Sequence, residues 1–350
     1  MTAGGQAAST EAIVRDPAML AHRYDPTHDA IHFLPVPREA HARATFINDE
    51  HLPKGLAPVV IGRRAAIAAA PPPAPIHFVF HSAFCCSTLV ARAFDRPGWA
   101  MGLKEPVILN DIVGWRHRGG QGASMTQVMN DALTLLARPF EPGEAIVVKP
   151  SNVANGLAEA MLLLRPDARA LLLYAPLRTY LGSIAKKGLD GRLWVRTLLL
   201  RLLDEKLIDL GFTARDHMGQ TDLQVAAVGW LAQQALFARL VARFGAGRIR
   251  TLDSAHLMAE PRAAFGALAR LFDRPIEGGV IDGIVAGPAF TRHSKDGTAF
   301  GADDRADEVS RAAQVHGDEI EKVAIWADAV AQAAGVALEP PAALLGSGGR

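Results

Sequence analysis

The sequence lacks the features that mark several large classes of protein. It has only two cysteines, Cys85 and Cys86. Because they are adjacent, they are a poor basis for a disulfide framework, and a reducing compartment is favoured. Lys+Arg (37) and Asp+Glu (36) nearly balance, so charge gives no reason to expect nucleic acid or an anionic membrane as a partner. Any site for an anion is therefore expected to be local.

Long apolar runs are also missing. No segment reaches the roughly 18 apolar residues that a membrane-spanning helix needs, because arginines or prolines interrupt the candidates at 61–76 and 195–206. The first residues, MTAGGQAASTEAIVRDPAM, contain no basic segment followed by an apolar core, so no signal peptide is predicted. We expect a cytoplasmic protein without a membrane span. Since 49% of the 350 residues are hydrophobic, we also expect a sizeable core.

The pattern along the chain predicts two regions. Residues 1–75 are predicted to be an irregular N-terminal extension that ends in the proline-rich connector AAAPPPAP. Residues 76–340 are predicted to be a domain in which short apolar strands alternate with helices, which is typical of an α/β fold with helices on both faces of a parallel sheet. The predicted strands are 76–80, 144–150, 169–176 and 247–253, and the predicted helices are 87–94, 155–164, 178–188, 193–210, 222–244, 262–273 and 307–335.

Residues 76–94, IHFVFHSAFCCSTLVARAF, have the strand–turn–helix order of phosphate-binding loops, yet the turn HSAFCCST contains no glycine and no lysine. The Walker pattern fails at its defining positions whether it ends at Ser87 or at Thr88, so ATP or GTP hydrolysis is not expected. The helix N-terminus still offers unpaired N–H groups and the positive end of the helix dipole, which attract phosphate. The hydroxyls of Ser87 and Thr88 add hydrogen-bond donors. Ser87 could also be simply the N-cap of the helix, since serine is common at that position.

This stretch resembles the first strand, loop and helix of the sulfotransferases, with Ser87-Thr88-Leu89 matching Ser/Thr-Thr-Leu of that family. The likeness continues in order over about two-thirds of the chain. It includes KEPVILND (104–111), VVKP (147–150), LLRPDARALLLYAPLRTYLGS (163–183), RIRTLDSAHLMAEPRAAFGALARLFDRPI (248–276) and TRHSKDGTAFG (291–301). The chain departs from the family at three positions. Phe84 stands where the family has a basic residue, and Cys86 stands where it has a glycine. Tyr174 stands where the family has the first arginine of its 3′-phosphate motif.

The resemblance implies a P-loop NTPase-like architecture and a donor substrate, 3′-phosphoadenosine 5′-phosphosulfate (PAPS), whose sulfuryl group passes to a hydroxyl or amine acceptor. The 5′-phosphosulfate of the donor would lie against Phe84, Cys85, Cys86, Ser87 and Thr88. The residues that would hold the 3′-phosphate are Arg178, Ser183, Arg292, His293 and Lys295, of which the arginines offer a fork of donors. No metal is required in principle, and no cluster with metal-ligand spacing suggests one.

Sulfuryl transfer also needs a cation at the leaving oxygen and a base for the acceptor's proton. Lys104 and Lys149 are the candidate cations, since each ends a predicted strand close to a proline. His81 either replaces the basic residue missing from the loop or is simply a hydrogen-bonded strand end. Glu105 is the candidate general base, although a neighbouring lysine makes a carboxylate a weaker base. The alternative base is His117.

Other hypotheses stay open beside this one. The chain could be a non-catalytic relative that binds a nucleotide or anion, which Phe84 favours, or a P-loop-like phosphotransferase. A cysteine-dependent redox enzyme is less favoured, because redox pairs are spaced C-x-x-C and adjacent cysteines bridge only with strain. Small thiols that pack the turn are expected instead. The acceptor, a small molecule or a carbohydrate, has no readable code in the segments 112–143 and 190–222.

Overall fold

The structure, a computed structural model, describes residues 9–207, 209–291 and 302–346, with side chains in the last range described from residue 314 onward. The chain forms two compact units. Unit 1 consists of residues 1–77 and 94–168, and unit 2 of residues 78–93 and 169–350. Each unit is therefore assembled from two stretches that are separated in the sequence.

The described strands are β1 (Met19–Asp25), β2 (Ala30–Pro35), β3 (Val59–Gly62), β4 (Ile76–His81), β5 (Ala100–Lys104), β6 (Ala145–Lys149), β7 (Ala170–Tyr174) and β8 (Ile249–Asp253). The described helices are α1 (Thr10–Arg15), α2 (Arg38–Arg43), α3 (Arg63–Ala69), α4 (Ser87–Phe94), α5 (Val107–His117), α6 (Gly122–Leu136), α7 (Ala158–Leu164), α8 (Leu177–Lys186), α9 (Gly188–Asp204), α10 (Ala214–Gly219), α11 (Asp222–Phe244), α12 (Ser254–Ala259), α13 (Pro261–Leu271), α14 (Gly278–Val285), α15 (Pro288–Thr291) and α16 (Ala302–Ala334). A 3₁₀ helix, Asn152–Leu157, leads into α7.

A five-stranded parallel sheet has the strand order β5-β6-β4-β7-β8 and is flanked by helices. Every residue of β4, β5, β6 and β7 is buried. Continuous apolar strands of this kind are typical of parallel sheets that are covered on both faces. The α/β fold with a parallel sheet that the sequence predicts is confirmed, and the predicted strands all lie within one or two residues of those observed.

Unit 1 contains the pair β5–β6, in which Ala100 lies opposite Ala145 and Lys104 opposite Lys149. It also contains an antiparallel sheet with the order β1-β2-β3. Arg63, at the start of α3, joins this sheet to α6 through ion pairs with Asp29 and Asp131. Both of those partners are carboxylates that lie far from Arg63 in sequence.

The prediction of an irregular N-terminal extension is wrong in its secondary structure. Residues 10–69 contain three helices as well as the three strands of the antiparallel sheet. In one of these strands, β1, the register with β2 shifts between Ala21 and Arg23. Such a bulge breaks the alternation of apolar and polar residues by which strands are recognised. The domain boundary after residue 75 stays a prediction.

Unit 2 contains the strands β4, β7 and β8. Phe78 lies opposite Ala170, and Tyr174 lies opposite Asp253. Helices α8, α9, α11 and α16 pack on one another in this unit. Helix α11 begins at a capping box formed by Thr221 and Gln224, which satisfies two of the free N–H groups at the helix start.

Helix α11 is, in the part of the chain that the structure describes, the one helix long and apolar enough to cross a membrane. However, 78% of its most apolar window is buried inside the fold. Its burial includes the indole of Trp230, which is 1% exposed. The apolar character of α11 is therefore accounted for by its place in the core of unit 2.

Candidate functional site

The turn between β4 and α4 has an unusual backbone. Ala83, Phe84 and Cys86 have φ angles of 71°, 51° and 63°, which is the left-handed region that glycine adopts readily and other residues avoid. Each non-glycine residue in this region costs about 1–2 kcal/mol. Such turns direct successive backbone N–H groups into one concavity, a geometry that suits anions. The turn therefore has a backbone conformation that usually requires glycine, although it contains no glycine.

Hydrogen bonds from β7 and the residues after it hold this turn. The N–H of Ser82 donates to the carbonyl of Leu173 (3.0 Å), and the N–H of Ala175 donates to the hydroxyl of Ser82 (3.2 Å). The carbonyl of Ala175 in turn accepts from the indole Nε1 of Trp230 (2.9 Å). All of these groups are buried, so the turn is connected to the core of unit 2 by a chain of satisfied polar groups.

His81 and Cys85 serve this local structure. The Nδ1 atom of His81 accepts from the N–H of Ala83 (3.1 Å), as expected for a histidine that ends a strand with a hydrogen bond. The thiol of Cys85 is buried and lies 3.4 Å from the carbonyl of Leu173. Cys86 is partly exposed. The expectation that a small thiol packs the turn is confirmed for Cys85.

The hydroxyls of Ser87 and Thr88 lie at the start of α4. The helix begins at Ser87, and the carbonyl of Cys86 accepts the first hydrogen bond, from Val90 (3.2 Å). Ser87 is thus inside the helix rather than at the N-cap position. The two residues are 6% and 7% exposed. Neither hydroxyl oxygen is among the buried polar atoms that lack a partner within the described residues. A hydroxyl can donate to a phosphate or sulfonate oxygen, so both are candidate donors at the helix start.

Phe84 packs into a small aromatic cluster of unit 2. Its ring centroid lies 6.0 Å from that of Tyr180 and 5.5 Å from that of Trp194, and the ammonium of Lys187 lies 5.6 Å from the same centroid. Burial raises the pKa of Tyr180 above its ordinary value. Its hydroxyl is among the buried polar atoms that lack a partner within the described residues. The position occupied by a basic residue in the sulfotransferases is therefore aromatic here, with a lysine beside it.

The residues predicted to hold a 3′-phosphate are only partly described. Arg178 lies half-exposed on α8 and forms two hydrogen bonds with Glu321 (2.8 and 2.7 Å). This bonding raises the pKa of Arg178 and lowers that of Glu321. The hydroxyl of Ser183 donates to the carbonyl of Thr179 (2.9 Å). Arg292, His293 and Lys295 lie outside the described residues.

In unit 1, the structure pairs two of the predicted catalytic residues. Lys149, at the end of β6, forms an ion pair with Glu105, and the side chains are 1% and 19% exposed. The ammonium of Lys149 also lies 5.0 Å from the ring centroid of Phe46. Glu105 has a φ of 54°, and its N–H donates to the carbonyl of Lys149 (2.7 Å). Glu105 as general base would first have to part from Lys149, whereas His117 is exposed at the end of α5.

Lys104 is placed differently from Lys149. Its side chain is fully buried in unit 1, and its ammonium donates to the carbonyls of His41 (2.6 Å) and Ala42 (3.0 Å). The imidazole of His41 is also buried. Its pKa is lowered to about 3, chiefly by burial and further by the charge of Lys104. The contacts of Lys104 that the structure describes are therefore structural.

Sequence reasoning missed residues that shape these sites. Ser82 and Trp230 support the turn through Ala175, and Phe46 contacts Lys149. Nothing marks these residues in the sequence, because each acts through a contact with a distant part of the chain. Among the described residues, no group of three or more His, Cys, Asp or Glu side chains could hold a metal ion.

Comparison with known proteins finds a likeness among solved structures and none among family models or curated proteins. Among solved structures, the chain is similar to a crystal structure of a sulfotransferase from Mycobacterium avium, with 14% identity and a TM-score of 0.41. The match covers 71% of this chain and 78% of that one.

Proposed function

We propose that the chain is a sulfotransferase that moves a sulfuryl group from PAPS to a hydroxyl or amine acceptor. The observation that carries the proposal is the backbone of the turn, where Ala83, Phe84 and Cys86 all lie in the left-handed region. Three such residues cost on the order of 3–6 kcal/mol together. Backbone strain of this kind is concentrated at ligand clamps and active sites, where the geometry is used.

The chemistry of the turn fits the phosphosulfate end of the donor. Phosphate and sulfonate oxygens accept hydrogen bonds, and the turn offers backbone N–H groups, a helix N-terminus and the buried hydroxyls of Ser87 and Thr88. Lys187, beside Phe84, is a cation close to the turn. The order of sulfotransferase-like segments along the chain is the reason for preferring PAPS over other phosphate-containing donors.

Two further parts of the proposal concern charge and location. Lys149 is proposed as a cation that takes part in the transfer, and its ion pair with Glu105 holds its side chain in place within unit 1. A cytoplasmic location is proposed because two adjacent cysteines are a poor basis for a disulfide framework, which fits a reducing compartment. A small-molecule or carbohydrate acceptor is proposed, with neither a nucleic acid nor a membrane as partner.

The first test is the thermal stability of the purified chain with 3′-phosphoadenosine 5′-phosphate, with ATP or without ligand. A ligand at about 100 times its Kd adds about 2.7 kcal/mol, which raises the Tm by several degrees. The rise is expected with the bisphosphate and should be lost in Ser87→Ala/Thr88→Ala. A matched control is Ser124→Ala/Thr126→Ala, which changes an exposed Ser/Thr pair near the start of α6. A rise with ATP alone would favour a phosphotransferase, and no rise with either would refute the proposal.

A non-catalytic, nucleotide-binding relative is the second candidate, and one observation favours it. Arg178, the retained arginine of the 3′-phosphate motif, is neutralised by Glu321. The two candidates differ in turnover. Transfer of radiolabelled sulfuryl from PAPS to any acceptor supports the enzyme, whereas bisphosphate binding without transfer to a broad acceptor panel supports the binding protein.

A further inference from the structure

A cavity of about 440 Å³ lies within unit 1, between the β1–β2 hairpin and the end of α5. Small-molecule sites have volumes of this order. The cavity is lined by residues 23–27, by His32 of β2, and by Asp111 and Arg118 on α5 and directly after it. Five of these eight residues are Arg, Asp or His. The cavity therefore suits a polar ligand better than an apolar one.

The two carboxylates that line the cavity are already paired. Asp111 accepts from Nε (2.8 Å) and Nη2 (2.7 Å) of Arg23. This bonding raises the pKa of Arg23, whose charge is thereby balanced. Asp25 accepts from the N–H of Thr27 (2.8 Å) and lies 2.5 Å from Nδ1 of His28. Neither carboxylate therefore needs a cation from a ligand.

Arg118 is the lining cation that lacks such a partner. In the part of the chain that the structure describes, its guanidinium takes part in no hydrogen bond or ion pair. Its Nη1 atom lies 3.2 Å from the place that a Cβ of residue 114 would occupy, so the guanidinium folds back along α5 over Gly114. Asp111, Gly114 and Arg118 are spaced by three and four residues, which places them on one face of the helix. The free donors of Arg118 are thus held at the cavity.

We propose that this cavity binds a small polar molecule by its anionic group, a carboxylate or a phosphate, which the guanidinium of Arg118 holds. The planar fork of an arginine matches both groups and forms two parallel hydrogen bonds with either. The imidazole of His32 supplies a further donor in the same cavity. The remaining lone pairs of Asp25 and Asp111 accept from hydroxyl or amino groups of the ligand. The inference does not depend on the proposed function, which uses none of these residues.

The side chain of Trp115 provides a local signal for binding. Its ring centroid lies 5.7 Å from that of Tyr24, which lines the cavity, in an edge-to-face contact. Nitrogen-15 NMR of the full chain separates the indole N–H signals of the five tryptophans, and Trp115→Phe identifies the signal of Trp115. Inorganic phosphate and acetate, titrated into the millimolar range, should each shift that signal to saturation. Acetamide, the neutral analogue of acetate, should not shift it. The anion with the lower Kd identifies which group the ligand carries.

Variants connect the signal to the cavity. Arg118→Gln should raise the Kd of both anions by at least about 10-fold, as expected for the loss of hydrogen bonds to a charged group. Arg118→Lys should recover part of that loss, because lysine keeps the charge without the fork. Arg43→Gln, at an exposed arginine that ends α2 in unit 1, is the matched control and should leave both Kd values unchanged.

Three results would overturn the proposal. The first is that neither anion gives a saturable shift in the unaltered chain, as would follow if Arg118 paired with Asp25 in solution. The second is a response to acetamide equal to that to acetate. The third is a Kd that Arg118→Gln leaves unchanged. Phosphate held at the turn before α4 is distinguished by Ser87→Ala/Thr88→Ala, which should leave the titration of the Trp115 signal as it is; a titration lost in that variant would also overturn the proposal.

Discussion

The ion pair of Lys149 and Glu105 should respond very unequally to the loss of each partner. Lys149 is 1% exposed, while Glu105 is 19% exposed and can be hydrated once alone. Glu105→Gln keeps an amide oxygen that can accept from the ammonium but removes the negative charge of the pair, so the buried charge of Lys149 loses this counter-ion. Removing one partner of a buried pair costs about 3–5 kcal/mol. We expect about 3 kcal/mol, the low end, because water reaches the edge of the pair.

Lys149→Met should cost much less, about 1 kcal/mol, because it replaces the buried charge by an apolar chain of similar length. The double variant should then be close to Lys149→Met alone, which gives a coupling energy of about 3 kcal/mol in magnitude. Urea denaturation followed by tryptophan fluorescence measures all three values. Asp318→Asn is the control, since its exposed pair with Lys322 should contribute under about 1 kcal/mol. The reasoning fails if Lys149→Met is as destabilising as Glu105→Gln.

Three more predictions can be checked by the same unfolding assay. Cys86 has a φ of 63°, in the left-handed region that glycine adopts without strain. Cys86→Gly should therefore raise the free energy of unfolding by about 0.5–1 kcal/mol. A clear decrease in that free energy would contradict the strain argument. Trp230→Phe deprives the buried carbonyl of Ala175 of its donor and should cost about 1–3 kcal/mol, whereas a neutral result would show that the indole N–H is dispensable. Burial lowers the pKa of His41 from 6.5 to about 3, so the unfolded chain binds the extra proton as pH falls below 6.5. Stability should drop by on the order of 2 kcal/mol from this group by about pH 5. His41→Gln should remove that contribution and leave the one from His22, whose pKa burial also lowers, whereas His28→Gln should leave the slope unchanged.

Four of the five strands of the parallel sheet were predictable because they are short runs rich in apolar residues. The strand β5 (Ala100–Lys104) is not among the predicted strands. Helix α4 was predicted with its observed bounds, 87–94, for a related reason: small polar residues precede a run of apolar ones. The helix predicted at 155–164 begins instead as the 3₁₀ helix Asn152–Leu157. The helix predicted at 193–210 spans Gly188–Asp204. Boundaries depend on tertiary contacts more than the existence of an element does.

The candidate site was less predictable than the sheet. The positions of Ser87 and Thr88 at a helix start follow from the local sequence. The left-handed backbone at Ala83 and Phe84 does not, because no glycine marks it and its support comes from Leu173 and Ala175. The strand β1 was not predicted either. Its bulge interrupts the alternation of apolar and polar residues by which a strand is recognised in a sequence.

The support of the turn by β7 has a consequence for the growing chain. Ser82 and Cys85 form hydrogen bonds with Leu173, and Ser82 also bonds with Ala175, about 90 residues later in the sequence. At about 5–20 residues per second, a ribosome needs about 5–20 s to make that interval. During this time the strand and helix around the turn exist without the groups that fix the left-handed residues. A nascent chain should therefore acquire affinity for the bisphosphate only after β7 has left the exit tunnel.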